Sequence, residues 1–175
     1  MNGGPPGGGD ADRFLADLRA DEAAHARRRE RWLRRSLAEE ASLAGILDGA
    51  RGRTVTLELR GGDRVTGEIV GTGDDAVLVL RADGRSVWIT RRSVAVVEAA
   101  GPLPGQAPAD EARRLVEVLA DLAQEGTRVQ VRLDGGGEVA GEVVAVGEVL
   151  TLRDGPAGTM RYVPLDAVVW VLPSS

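Results

Sequence analysis

The arginine run between residues 27 and 35 has the residue types and spacing to bind an anion. On a helix, Arg27, Arg31, Arg34 and Arg35 fall on neighbouring turns and form a stripe, with Trp32 beside it. Such a stripe would follow nucleic-acid phosphates while the indole stacks or packs. Acidic residues flank the run, so a solvent-exposed helix with internally paired charges is the other interpretation. The candidate contacts to nucleic acid or to a partner are Arg27, Arg28, Arg31, Trp32, Arg34, Arg35, Arg91 and Arg92.

The sequence contains no group of residues that matches a catalytic, metal or cofactor site. The chain has no Cys and a single His, which excludes thiol nucleophiles, disulfides and Cys/His zinc sites. That residue, His25, lies among acids and arginines rather than beside a nucleophile. Asp74 and Asp75 lack the oxygen-rich loop of a calcium site, so we expect a hairpin turn there. We therefore expect a non-enzymatic protein with no cofactor, no metal and no small-molecule substrate.

The length and the charge of the chain further restrict the class of protein. The 175 residues suffice for one medium domain or two small ones. The net charge is −5, and residues 101–175 carry 6 Arg against 11 acids, so that part is a poor nucleic-acid surface. No apolar stretch approaches the roughly 20 residues of a membrane span, and the amino terminus is not signal-like. We expect a cytoplasmic protein that does not enter a membrane.

The composition changes near residue 50. All 22 Val residues lie at or after Val55, whereas residues 1–50 are rich in Ala, Arg, Leu and Glu. Because β-branched side chains favour strands and the others favour helices, helix precedes sheet. We predict a disordered tail over 1–9 and a long helical arm over 10–49. Its first apolar cluster, Phe14, Leu15 and Leu18, would reach another chain or partner.

An internal repeat organises the remaining residues. RTVTLELRGGDRVTGEIVGTG (53–73) matches TRVQVRLDGGGEVAGEVVAVG (127–147). Alternating apolar residues predict five strands per copy, at 54–60, 63–72, 75–82, 85–90 and 94–98, then at 128–133, 137–146, 148–153, 160–163 and 168–172. A short two-faced sheet buries little unless it closes, and Gly67 and Gly141 would allow the sharp bend. We expect the aromatic residues of the strands to be packed.

These elements predict a mainly β, α+β chain. A linker at 100–109 separates a first barrel, over 52–99, from a second unit over 110–173, which starts with a helix at 110–125. The apolar face of that helix is Leu115, Val118, Leu119 and Leu122. Each of the two five-stranded small barrels is thus preceded by a helix.

The order of helix and five bent strands, with Leu-x-Gly before Gly-x-hydrophobic, resembles the Sm-like family of small SH3-like barrels. The resemblance covers residues 40–99 and 112–173. It rests on Leu59, Gly61, Gly67, Ile69 and Asp74, on Leu133, Gly135, Gly141, Val143 and Glu148, and, for the Hfq-like branch, on Met160, Tyr162, Val168, Val169 and Pro173. The paired layout is similar to proteins of high-GC bacteria, and the use of Arg in place of Lys agrees with such a genome.

The resemblance implies a function carried by contacts. Sm-like proteins hold RNA bases with an Asn and an Arg-Gly turn. Here the only Asn is Asn2, and Arg91-Arg92 resembles that turn only in part. Barrels of this family join edge to edge through their fourth and fifth strands, and tandem copies can pair internally while their outer edges stay free. The strands at 85–90 and 168–172 are therefore the expected contact edges. We therefore expect an adaptor or assembly module that binds a protein partner or forms a homo-oligomer. An RNA-binding regulator that uses the arginine run is the alternative.

Overall fold

The computed structural model describes residues 42–103, 105, 113–155 and 158–174. In this part of the chain, α1 (Leu43–Gly49) precedes five strands and α2 (Leu115–Gln124) precedes five more. The strands are β1 (Thr54–Leu59), β2 (Arg64–Thr72), β3 (Ala76–Arg81), β4 (Ser86–Thr90), β5 (Val94–Ala99), β6 (Arg128–Leu133), β7 (Glu138–Val146), β8 (Val149–Asp154), β9 (Thr159–Pro164) and β10 (Val168–Pro173). The ends of every strand agree with the prediction within one residue.

Period-two alternation explains the strands. In β1, Val55, Leu57 and Leu59 are buried while the residues between them remain partly exposed. Val129 and Val131 repeat this pattern in β6. In α2, Leu115, Val118 and Leu119 are buried and Leu122 packs against the same core, which confirms the predicted face.

The two closed barrels expected from the sequence are wrong. The described strands form one antiparallel ten-stranded sheet, in the order β5-β1-β2-β3-β4-β10-β6-β7-β8-β9. Each copy keeps the same internal order, but β4 pairs with β10 of the other copy. In closed barrels, β4 and β10 would each pair within their own copy. Because they pair with each other instead, the sheet stays open and ends at β5 and β9.

Two apolar cores lie along this sheet, one for each copy. The first contains Leu47 of α1 with residues of β1 to β5, and the second contains Leu115 and Leu119 of α2 with residues of β6 to β10. Glycine permits close packing within each: a Cβ on Gly67 would collide with the Leu80 carbonyl of β3, and one on Gly141 would lie 2.9 Å from the Arg153 carbonyl oxygen.

The long arm expected over 10–49 is described only from residue 42 onward, where α1 occupies seven residues. The helix expected at 110–125 is ten residues long and begins at Leu115. Neither helix of the described chain has the length and apolarity needed to cross a membrane.

Candidate docking surface

Most of the sequence-predicted contact residues lie outside the described residues. These are the apolar cluster and the arginine run, namely Phe14, Leu15, Leu18, Arg27, Arg28, Arg31, Trp32, Arg34 and Arg35. The structure therefore locates only Arg91 and Arg92 of the predicted set.

Arg91 and Arg92 occupy the short 3-10 turn between β4 and β5. The Arg92 Nη2 atom donates to the carbonyl oxygens of Leu165, at 2.6 Å, and Val168, at 3.3 Å, in the second copy. Arg91 lies 3.9 Å from the carboxylate of Asp48, and only 15% and 5% of these two side chains is exposed. Both arginines therefore make contacts within the fold, and a bound phosphate would have to replace these contacts.

The two copies meet where β4 pairs with β10, a contact that we call the joint. The register places Ile89 opposite Trp170 and Trp88 opposite Val171. Trp88 packs against the second core and Trp170 against the first, so each copy contributes an indole to the core of the other. The joint is therefore part of both cores.

Polar contacts reinforce the joint. Arg132 of β6 binds Asp63 through two hydrogen bonds, from Nε to Oδ2 at 2.7 Å and from Nη2 to Oδ1 at 2.9 Å. The Thr90 hydroxyl lies 3.1 Å from the Val168 carbonyl oxygen and 3.2 Å from that of Val169. These side chains satisfy backbone and charged groups that the pairing would otherwise leave without partners.

The start of α2 docks on the turn between β2 and β3 of the first copy. The backbone N–H of Leu115 donates to Asp75 Oδ1 at 2.7 Å, and the N–H of Asp74 donates to the Arg113 carbonyl at 3.2 Å. The Arg113 carbonyl occupies the space where a Cβ of Gly73 would lie. The predicted hairpin turn at Asp74 and Asp75 is confirmed. Its role as a helix cap was missed, because the helix that it caps lies 40 residues along the chain.

The second copy has a corresponding turn between β7 and β8, which is one residue shorter than the turn of the first copy. Leu165 N–H donates to the Glu148 carbonyl at 2.9 Å, as Arg91 N–H donates to the Asp75 carbonyl at 2.8 Å. In the strand pairs, Val149 faces Pro164 as Ala76 faces Thr90. Glu148 therefore corresponds to the capping Asp75, and Val149 corresponds to Ala76.

Equivalent positions differ sharply in exposure between the copies. Ala76 is fully buried in the second core, whereas 40% of Val149 is exposed. Trp88 packs against that core, whereas its counterpart Tyr162 is 69% exposed, so the expectation that strand aromatics are packed is wrong for Tyr162. Beside these side chains lies an open groove of about 630 Å³, which we call the terminal groove, and its second-copy lining is Gly147, Glu148, Val149, Pro164, Leu165 and Asp166.

The chemistry of the terminal groove is that of a docking surface. It combines an edge strand, exposed apolar side chains and two carboxylates, with Arg114 and Val116 at its α2 side. Within the described residues, no three His, Asp or Glu side chains come together as a metal site requires. The repeat alignment carried a signal for this surface, since Tyr162 aligns with Trp88, but alignment does not show which copy is covered.

Comparison with protein families and with curated proteins gives no match. No protein-family model matches the chain, and no curated protein matches it significantly.

Proposed function

We propose that this chain is a non-enzymatic adaptor or assembly module whose docking surface is the terminal groove. The observation that supports the proposal is the difference between two equivalent turns. The turn of the first copy receives the start of α2, while the turn of the second copy faces an open groove. One backbone hydrogen bond is common to both turns, from Arg91 N–H to the Asp75 carbonyl and from Leu165 N–H to the Glu148 carbonyl. The shorter second turn therefore presents Glu148 where the first turn presents its capping carboxylate.

Apolar exposure at the sheet edge also supports the proposal. Met160 and Tyr162 are exposed on β9, and Val149 is exposed on the neighbouring strand. An edge strand presents unpaired backbone donors and acceptors, and exposed apolar side chains beside it favour protein contact. A cytoplasmic location and the absence of an enzymatic activity remain part of this proposal.

Affinity capture from the native cell extract tests the function. The full chain is compared with Val149→Asp, and we expect this change to abolish capture of the partner because it places a charge in the groove. Val144→Asp is the matched control, since Val144 is 42% exposed in the same copy but does not line the groove. A partner captured equally by all three chains would contradict the proposal. Capture that instead disappears after nuclease treatment would favour the nucleic-acid alternative.

A further inference from the structure

The joint inside the chain shows what a homotypic contact at β9 would require. The groups that form the joint can be compared, position by position, with their equivalents at the outer edges of the sheet. If a second copy of the chain added its β5 to β9, as β10 adds to β4, each contact of the joint would need a counterpart there.

The ion pair of the joint has no counterpart. The repeat places Gly137 where Asp63 lies and Glu58 where Arg132 lies. Glu58 forms an ion pair with Arg64 of its own copy. A second copy would therefore meet the β9 edge without the two hydrogen bonds that fasten the joint.

The hydrogen-bond donors of the joint are also replaced. Pro164 stands where Thr90 donates to backbone carbonyls, and Asp166 stands where Arg92 donates. A carboxylate at that position would face carbonyl oxygens, and two acceptors cannot satisfy each other. Arg161 replaces the buried Val87 and pairs with Asp154 at 2.8 Å, and a charge on the core-facing side of an edge strand opposes strand addition.

The helix start that a second copy could offer is capped differently from the start of α2. In α1, the Ser42 hydroxyl accepts a hydrogen bond from the Gly45 N–H at 3.1 Å. At the start of α2, Glu117 accepts from the Arg114 N–H at 3.0 Å, and Asp75 of the other copy accepts from the Leu115 N–H. Ser42 thus caps the third residue of α1, whereas Asp75 caps the first residue of α2, so the two helix starts are capped in different ways.

The groove retains the features that receive a helix start. Glu148 supplies an acidic side chain where Asp75 caps α2, and Val149, Pro164 and Leu165 supply apolar surface. Asp166 adds a second hydrogen-bond acceptor, so an occupant of the groove must supply hydrogen-bond donors.

Building on the adaptor function proposed above, we propose that the terminal groove binds the first turn of a helix from a different protein. This helix has an apolar residue at its start and a basic residue that faces Asp166. A second copy of this chain does not fit there.

A titration with a defined helix tests the groove directly. The probe is a synthetic peptide of residues 113–126, which contains the α2 segment that the equivalent first-copy turn already receives. We expect this peptide, at about 1 mM, to shift the NMR amide signals of Gly147, Val149 and Leu165 in the isotope-labelled full chain. Glu148→Lys should weaken that binding at least about fivefold because it removes the cap, whereas Val144→Asp should not change it.

Sedimentation velocity of the full chain tests the exclusion of a second copy. We expect no self-association through β9 at about 100 µM. Association that Tyr162→Asp abolishes would overturn the inference and identify a second copy as the occupant. Absent amide shifts, or shifts unchanged in Glu148→Lys, would overturn the helix-start occupant. The adaptor function is tested separately by capture. If Val149→Asp still abolishes capture, the adaptor function holds even when the helix-start occupant is wrong. If Val149→Asp does not affect capture, the adaptor function is contradicted.

Discussion

Arg132 and Asp63, which are 69 residues apart in sequence, hold the two halves of the sheet together with a two-pronged ion pair. Only 20% of the Arg132 side chain and 29% of the Asp63 side chain is exposed, so the pair is partly desolvated. A planar guanidinium matches both carboxylate oxygens at once, which fixes the angle between the halves as well as their distance.

Asp63→Asn should therefore destabilise the fold. The change removes one charge of a partly buried pair, and we expect the free energy of unfolding to fall by about 1–3 kcal/mol. Urea denaturation measures the loss. Glu58→Gln is the control, because it breaks the solvent-exposed pair with Arg64 and should leave the stability almost unchanged. Equal effects of the two changes would show that Asp63 does not hold the joint.

Trp88 and Tyr162 provide a second matched test, since they occupy the same position in the two copies. Trp88→Ala should lower the free energy of unfolding by about 2–4 kcal/mol, because the indole packs into the second core. Tyr162→Ala should change it by no more than about 0.5 kcal/mol, because the ring is 69% exposed. Chemical denaturation of both variants gives the comparison. A large loss for Tyr162→Ala would mean that β9 is covered in solution.

The sequence predicts the strands and the helix face because both depend on local periodicity. Val55, Leu57 and Leu59 alternate in a way that only a half-buried strand satisfies, so the location of β1 follows directly. The repeat likewise predicts that the second copy has the same strand order. These parts of the fold need no knowledge of distant contacts.

The family resemblance indicated the strands at 85–90 and 168–172 as contact edges, and these strands, β4 and β10, do pair with each other. Local periodicity alone does not predict this pairing. Alternation assigns the two faces of a strand but is the same whether β4 closes its own barrel or joins β10. Trp88 and Tyr162 have similar surroundings in sequence, and only the neighbouring strand decides which ring is covered. The repeat alignment alone does not locate the terminal groove, because the groove depends on β9 having no neighbouring strand in the described sheet.

Gly73 and Gly147 test the docking of α2. Gly73→Ala should destabilise the fold by about 1–3 kcal/mol, because the added methyl group would collide with the Arg113 carbonyl. Gly147→Ala should be close to neutral, since apart from its chain neighbours no atom of the described residues lies within 4 Å of the position of its Cβ. Thermal unfolding of the two variants is the measurement. If Gly73→Ala were as stable as the native chain, the start of α2 would not be seated on this turn.

Asp154 makes the stability of the second half depend on pH. Its hydrogen bond from Arg128 and the nearby charge of Arg161 lower the pKa of this carboxyl group below its ordinary value. A lowered pKa in the folded state favours folding above the ordinary carboxyl pKa and loses that effect as the pH falls through the folded-state value. The difference in stability between the native chain and Asp154→Asn should thus be constant near neutral pH and shrink below about pH 4.

Denaturation at several pH values measures this difference, and Arg128→Gln should remove most of its pH dependence because the Arg128 hydrogen bond is the largest cause of the shift. The same carboxylate anchors Arg161 on β9, at the position that Val87 occupies in the first copy. Protonating Asp154 should therefore free the charged residue that opposes strand addition at this edge. If acid left the stability difference unchanged, Asp154 would not stabilise the folded sheet, and Arg161 would need another reason to remain on the core-facing side.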